Sequence, residues 1–194
     1  MDTFKKTMQE QIDKTVDALK QGKVILYPTD TIWGLGCDPT NKSAVLKLLE
    51  VKKRSKEKGI ITLISDINQL IQYVDKIPDV AWDIVEFAEK PLTVVYQKGK
   101  SVDDLILNAD GSIAVRLVKD EFCQKLIRKF GKGLASTSAN ISSDKSPDNY
   151  SDISKEIIDG VDFVVDLYQE RKEKQQASTI IKLDNDGTIK FLRK

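Results

Sequence analysis

The chain has 194 residues, a length that suits one well-buried domain, and we expect a single domain over residues 1–194. It carries 31 Lys and Arg against 30 Asp and Glu, so its overall charge favours neither nucleic acid nor a membrane surface. It contains no histidine and only two cysteines, which excludes histidine-based nucleophilic catalysis, most zinc sites and a disulfide framework. No apolar run is long enough to cross a bilayer and the N-terminus lacks the apolar core of a signal peptide, so we expect a cytoplasmic protein.

Helical and strand-like patterns alternate along the chain. Apolar residues at helical spacing predict a helix over residues 3–20, which Gly22 ends. Further helices are predicted to begin near Asn41, Asp66, Pro78, Asp120 and Ser154. Apolar runs predict strands at residues 24–27, 59–65, 92–96, 113–117, 134–137, 161–166, 178–183 and 188–193. The last two read as a hairpin joined by Asn185, Asp186 and Gly187. This alternation predicts an α/β fold with a sheet of mixed strand direction.

The stretch that follows the first strand, PTDTIWGLG at residues 28–36, is unusual. Pro28 ends the strand because it has no N–H to donate, and Thr29 and Thr31 then offer hydroxyl groups at the strand end. Gly34 and Gly36 would let the backbone turn sharply or pass close to a ligand. Ligands gather at the carboxyl ends of strands in α/β proteins, although an ordinary polar turn would have the same residues.

A basic cluster closes the second predicted helix. Residues 42–58 contain seven basic and two acidic side chains, and Lys52, Arg54 and Lys58 lie at the end of this stretch. Cations at a helix C-terminus are favourable in any case, so the cluster could be a plain solvated charge run. Alternatively it forms a phosphate clamp in which Arg54 binds phosphate with two hydrogen bonds.

Arg116 interrupts an otherwise apolar predicted strand. A charge on a buried strand costs several kcal/mol unless it is paired. Arg116 could pair with Asp30 or Asp110, or it could bind the carboxylate of a ligand. We favour the ligand, while the structural pairing stays open.

Small polar groups also follow two later strands. Ser136, Thr137, Ser138 and Asn140 come at the end of one strand, and Ser178 opens another. Each set alone is typical of a polar turn or of strand propensity. Together with the basic cluster and Arg116, they favour a small anionic ligand that carries phosphates.

These residues resemble a known family. PTDTIWGLG, the K-x-R of residues 52–54, PLT at 91–93, AVR at 114–116, STSAN at 136–140 and STI at 178–180 occur in the order found in threonylcarbamoyl-AMP synthases of the YrdC/TsaC type. The matches extend over residues 22–193 and resemble the short, single-domain form. The resemblance implies an α/β fold, with a twisted open mixed sheet flanked by helices around a basic concave cavity. It also implies that L-threonine, bicarbonate and ATP are joined into L-threonylcarbamoyladenylate with release of pyrophosphate, for N6-threonylcarbamoyladenosine modification of tRNA.

The resemblance further implies a role for individual residues. Lys52 and Arg54 would be catalytic. L-threonine would be bound by Thr31, Arg116 and Ser178. ATP, with Mg²⁺ near its phosphates, would be bound by Arg54, Lys58, Thr93, Ser138, Asn140 and Arg193. The metal ligands are not identified, and tRNA and the proteins of a threonylcarbamoyl-transferase complex are possible partners.

The chain departs from the family pattern at some positions, and two rival functions are worth testing. Trp33 stands where a tyrosine is usual, Ser143 where a glycine is usual, and residues 169–176 replace a glycine-rich segment. One rival is an RNA-binding module without adenylation activity, which the near-zero net charge disfavours. The other is a related carbamoyl-transfer domain, which the absence of histidine and of a cysteine-rich zinc region disfavours.

Overall fold

The computed structural model of the chain describes residues 2–55, 59–142, 144–171 and 177–194, with side chains from residue 7 onward. The helices are α1 Asp2–Lys20, α2 Lys42–Lys52, α3 Leu70–Tyr73, α4 Val80–Glu86, α5 Glu121–Phe130 and α6 Lys155–Gly160. The strands are β1 Ile25–Tyr27, β2 Gly34–Cys37, β3 Ile61–Ile64, β4 Leu92–Tyr96, β5 Ile113–Leu117, β6 Leu134–Ser138, β7 Phe163–Val164, β8 Thr179–Leu183 and β9 Ile189–Arg193. None of the helices described is both long and apolar enough to span a membrane.

These strands form one sheet in the order β7-β1-β2-β6-β3-β5-β4-β8-β9. The pairs β1–β7, β3–β5 and β4–β8 are parallel, and the other neighbours are antiparallel. The predicted α/β fold with a mixed sheet is therefore confirmed. Strands distant in sequence lie side by side, so residues from the first and last thirds of the chain meet on one surface.

The two faces of the sheet carry different helices. On one face α1 and α5 pack over Tyr27, Leu63 and Leu134. On the other face α2 and α6 cover Leu35 and Ala135, and α3 and α4 cover the strands farther along. Because side chains alternate along a strand, each strand sends every second residue to the face that α1 and α5 share.

Most helix ends follow the predicted capping chemistry. Asn41 accepts a hydrogen bond from the Ala44 amide at 3.1 Å, and Asp120 accepts one from the Cys123 amide at 2.9 Å. Gly22 ends α1 with φ +72°, a left-handed conformation that glycine adopts without a steric penalty. Capping side chains are visible in a sequence because they act within a few residues of the helix end.

The strand β2 was missed, and of the two alternatives considered for Gly34 and Gly36, a sharp turn or a close approach to a ligand, the sharp turn is wrong. Both glycines lie inside β2, which pairs with β1 on one side and β6 on the other. A Cβ at Gly36 would lie 2.8 Å from the Tyr27 ring, and one at Gly34 would lie 3.3 Å from it. The glycines are needed because an aromatic ring crosses them, and not because the backbone turns.

Candidate active site

A cavity of about 760 Å³ opens on the face of the sheet that α1 and α5 share. Its floor includes residues from β3, β4, β5, β6 and β8, and its wall includes the turn between β1 and β2. Among the described residues, five cations and one carboxylate line it: Arg54, Arg116, Lys182, Lys190, Arg193 and Asp110. Six of the ten residues to which the resemblance gives a role also line it, namely Thr31, Arg54, Arg116, Ser138, Ser178 and Arg193.

The turn between β1 and β2 holds Thr31 rigidly. The Thr29 hydroxyl donates to the Ile32 carbonyl at 2.7 Å and accepts from the Thr31 amide at 3.0 Å. The hydroxyls of Thr29 and Thr31 also lie 3.0 Å apart, within hydrogen-bond distance. Thr31 is only 2% exposed, so its hydroxyl is fixed at the cavity wall.

Arg116 lies on the cavity floor in β5, an interior strand between β3 and β4. Its Nη1 donates to the Thr31 hydroxyl at 3.0 Å, and its Nη2 pairs with Asp30 Oδ1 at 3.2 Å. Both side chains of this ion pair are nearly buried, and the pairing offsets the cost of burying the charge. The structural pairing with Asp30 is thus present, whereas Asp110 lies near Lys182 instead.

The remaining nitrogen of Arg116 is a donor without an acceptor. Its Nε is buried and has no hydrogen-bond partner among the described residues. An unpaired buried donor is costly, and a planar guanidinium suits a carboxylate. The contacts of Arg116 with Asp30 and Thr31 therefore leave one buried N–H of the guanidinium unsatisfied among the described residues.

Ser178 and Arg193 form the next part of the wall, and Thr93 supports them. Thr93 lies directly opposite Arg116 in the β4–β5 pair, and its hydroxyl is 2.8 Å from that of Ser178. Arg193 donates from Nε and Nη2 to the Ser178 carbonyl at 3.1 and 2.7 Å. Burial lowers the pKa of Arg193, and the nearby charge of Arg116 lowers it further. Thr93 is fully buried and does not belong to the cavity lining, so it supports Ser178 from behind.

Lys52 lies behind the wall rather than in it. Its Nζ donates to four oxygens, the carbonyl and hydroxyl of Ser138 at 2.7 and 3.0 Å and the carbonyl and side-chain oxygen of Asn140 at 2.7 and 3.0 Å. In return, the amide and hydroxyl of Ser142 donate to the Lys52 carbonyl at 3.0 and 3.1 Å. Burial and, to a smaller extent, the charge of Arg54 lower the pKa of Lys52 to about 8, against the opposing effect of the Asp144 charge. Lys52 thus joins the end of α2 to the loop that follows β6.

Arg54 reaches the cavity from the segment after α2. Its Nη2 donates to the Gly59 carbonyl at 2.6 Å, and the Gly59 amide donates to the Asn108 side chain at 3.0 Å. Burial lowers the pKa of Arg54. Lys58, predicted to bind ATP, lies outside the described residues, as do residues 172–176 of the segment 169–176.

Sequence reasoning missed much of the opposite wall. Asn108, Asp110, Ser112, Lys182 and Lys190 all line the cavity, and none of them was a predicted site residue. Lys182 and Lys190 lie directly opposite each other in the β8–β9 pair, where like charges are unfavourable. Alternation along a strand could have placed Lys182 on the same face as Ile180, but only the fold shows that this face lines a cavity.

Trp33 contacts two loops at the mouth of the cavity. Its ring lies 4.9 Å from that of Tyr150, and its carbonyl accepts from the Ala139 amide at 2.9 Å. The side chain is 5% exposed and lines the cavity. It therefore holds the turn before β2 against the segment that follows β6.

The sequence of this chain matches a family model over residues 17–194, that of Sua5/YciO/YrdC, whose description reads "Telomere recombination". The chain belongs to the Sua5/YciO/YrdC family. It is 37% identical over 161 residues to the threonylcarbamoyl-AMP synthase of Pseudoalteromonas translucida, a match that covers 81% of this chain and 86% of the relative. The motif-based resemblance is confirmed.

Solved structures of this family have the same fold. Sua5 from P. abyssi, complexed with L-threonine, matches with a TM-score of 0.82 and 26% identity over 94% of this chain and 53% of that one. E. coli YciO matches with a TM-score of 0.82 and 23% identity over 96% of this chain and 89% of that one. This chain therefore spans about half of the Sua5 chain and most of YciO.

Proposed function

We propose that this protein is an L-threonylcarbamoyladenylate synthase, which forms threonylcarbamoyl-AMP and pyrophosphate from L-threonine, bicarbonate and ATP. The observation that carries the proposal is the 37% identity to a threonylcarbamoyl-AMP synthase over 81% of the chain. The cavity supports it, because residues of all the matching motifs lie along it or in contact with its wall. The Sua5 structure that matches this chain was solved with L-threonine.

The threonine substrate would lie at the Arg116 end of the cavity. Arg116 lines the cavity and donates from Nη1 to the Thr31 hydroxyl, and the Ser178 hydroxyl lies 2.8 Å from that of Thr93, the residue opposite Arg116 in the β4–β5 pair. A carboxylate or carbamate offers the oxygens that such a group of donors needs. The fixed positions of these donors would orient the substrate before reaction.

The nucleotide would lie toward Arg54, Ser138 and Arg193. These residues offer guanidinium and hydroxyl donors for phosphate oxygens, and we propose that Lys58 joins them. The described residues contain no group of three acidic, cysteine or histidine side chains suited to a metal ion, and one carboxylate, Asp110, lines the cavity. These residues do not form a protein-borne magnesium site, and we propose that Mg²⁺ enters bound to the phosphates of ATP.

The chemistry needs no histidine. The threonine amine and bicarbonate condense to a carbamate with loss of water, and a carbamate oxygen then attacks the α-phosphorus while pyrophosphate leaves. Holding the two reactants in line can supply about 7–11 kcal/mol of the barrier. Fixed cations would stabilise the charge that develops on the phosphoryl oxygens.

We further propose that the product is used in tRNA modification in the cytoplasm, with tRNA and threonylcarbamoyl-transferase proteins as partners. The alternative, an RNA-binding module without adenylation activity, predicts a salt-sensitive RNA complex and no consumption of ATP. The two functions are therefore separable in one set of assays.

The test is pyrophosphate release from ATP, measured with and without L-threonine and bicarbonate. We expect release to require both, and Arg54→Ala to lower kcat/KM by about 10²–10³ because it removes a cationic donor. The control is Arg128→Ala, since Arg128 is an exposed arginine of α5 outside the cavity lining. Release without threonine, or an equal loss in both variants, would rule out the proposed function.

A further inference from the structure

Tyr27 makes a contact that none of the proposed steps uses. It is completely buried in β1, and its hydroxyl donates to the Ser136 hydroxyl at 2.6 Å. Ser136 is 6% exposed and lines the cavity floor in β6. This hydrogen bond therefore links Tyr27, which is not exposed, to Ser136, which lines the cavity.

The path between the two residues runs across β2, which separates β1 from β6. A Cβ at Gly36 would lie 2.8 Å from Cε1 of Tyr27, closer than real Cβ contacts come. A Cβ at Gly34 would lie 3.3 Å from the same atom and 3.2 Å from the Ser136 hydroxyl oxygen. The two glycines thus leave the space through which the Tyr27 ring reaches Ser136.

The direction of this hydrogen bond determines where the Ser136 proton points. A phenol has one O–H, and when it donates to Ser136 the serine keeps its own hydrogen for another acceptor. Burial raises the pKa of Tyr27 well above its usual value, so the phenol stays protonated at neutral pH. The backbone of Ser136 is held between Gly36 of β2 and Ile61 of β3. The remaining freedom of the serine is rotation of its hydroxyl, and Tyr27 restricts it.

We propose that Tyr27 is a positioning residue that acts through Ser136 and holds the serine hydroxyl as a donor toward an anionic oxygen of the bound substrate. This inference rests on the proposed function. It gives a functional reason for the aromatic ring of Tyr27 and for the two glycines that leave space for it, Gly34 and Gly36.

The test compares Tyr27→Phe with Tyr96→Phe. Both replacements remove one buried hydroxyl from a strand of the sheet, but the Tyr96 hydroxyl has no hydrogen-bond partner among the described residues. In the pyrophosphate-release assay, kcat/KM is measured for ATP and for L-threonine. We expect Tyr27→Phe to lower it by about three- to tenfold for whichever of the two contacts Ser136, which is the loss expected for one hydrogen bond. Tyr96→Phe should leave kcat and the KM values for ATP and for L-threonine unchanged.

A double-mutant cycle separates positioning from a structural effect. If Tyr27 acts through Ser136, Tyr27→Phe has no further effect on kcat/KM in a Ser136→Ala background. Urea unfolding of each variant shows whether the fold is intact, and Ser136→Ala gives the functional comparison if Tyr27→Phe unfolds. An active wild type with an unchanged Tyr27→Phe, or with additive losses, overturns this inference alone. A wild type that releases no threonine-dependent pyrophosphate overturns the proposed function and this inference with it.

Discussion

Replacing Lys52 with methionine should destabilise the protein far more than a lysine replacement normally does. Lys52 is 2% exposed and its Nζ donates to four oxygens of Ser138 and Asn140. Methionine has a similar length but no donor, so those oxygens lose their ammonium partner inside the protein. The Ser138 carbonyl keeps a hydrogen bond from the Asn140 amide at 3.0 Å, whereas no other donor is seen for the Asn140 side-chain oxygen among the described residues.

The magnitude follows from these contacts. Each buried acceptor left unsatisfied costs about 1–3 kcal/mol. The Ser138 carbonyl keeps a partner, so three acceptors lose their donor, and because methionine adds apolar contact we expect a loss near the lower end, about 3 kcal/mol. The loop that carries Ser138 would also loosen, and pyrophosphate release would fall with it.

Urea unfolding of Lys52→Met and Lys53→Met gives a matched comparison of two adjacent lysines. The Lys53 side chain is 60% exposed and pairs with Glu156 at 2.6 Å, a surface pair worth about 0–1 kcal/mol. The free energy of unfolding should therefore fall by at least about 2 kcal/mol more in Lys52→Met than in Lys53→Met. Equal losses in the two variants would refute the reasoning that Lys52 joins α2 to the loop after β6.

Two further predictions concern stability. Burial raises the pKa of Asp38, but hydrogen bonds from Lys132 and from a neighbouring threonine outweigh it and leave the pKa below its usual value. The Asp38 carboxylate therefore stabilises the fold at pH values above its unfolded pKa, and this stability is lost as the pH falls through its lower, folded pKa. Below about pH 4, the urea midpoint of Asp38→Asn should therefore change less with pH than the midpoint of the wild type. Gly22→Ala and Gly131→Ala both place alanine at positive φ, which costs about 1 kcal/mol. Of the two, only the Cβ added at Gly22 meets another atom, Nδ2 of Asn41 at 2.7 Å. The urea midpoint of Gly22→Ala should therefore fall further than that of Gly131→Ala, and equal midpoints would contradict this reasoning.

The sequence predicted correctly the strands whose own residues have a clear strand pattern. The bounds of β4 and β5 match the predicted residues 92–96 and 113–117, because both strands are apolar runs rich in β-branched residues. β2 has the sequence Gly-Leu-Gly-Cys, which has little strand propensity. Its conformation comes from pairing with β6, about 100 residues away in the chain, and no local pattern contains that contact.

The candidate site shows the same division. The motif residues Thr31 and Arg116 were named from the sequence, and the fold brings them within 3.0 Å of each other. Whether a predicted residue reaches the cavity depends on burial, which the sequence does not show. Lys52 and Thr93 were predicted as site residues from their motifs, but the fold places them behind the cavity wall. Asn108 was missed because its importance comes from a contact with Gly59, 49 residues away.

The three arginines that line the cavity among the described residues are held by the fold before any ligand arrives. Arg193 is bonded to the Ser178 carbonyl, Arg54 to the Gly59 carbonyl, and Arg116 to Asp30 and Thr31. A guanidinium has five N–H donors, so contacts of this kind fix its plane without using every donor. Cations fixed in this way need little reorganisation when negative charge develops on a substrate, which is the main electrostatic requirement of adenylation. A chain without histidine can meet that requirement, because the reaction we propose depends on where the charges are held more than on a residue that exchanges protons near neutral pH.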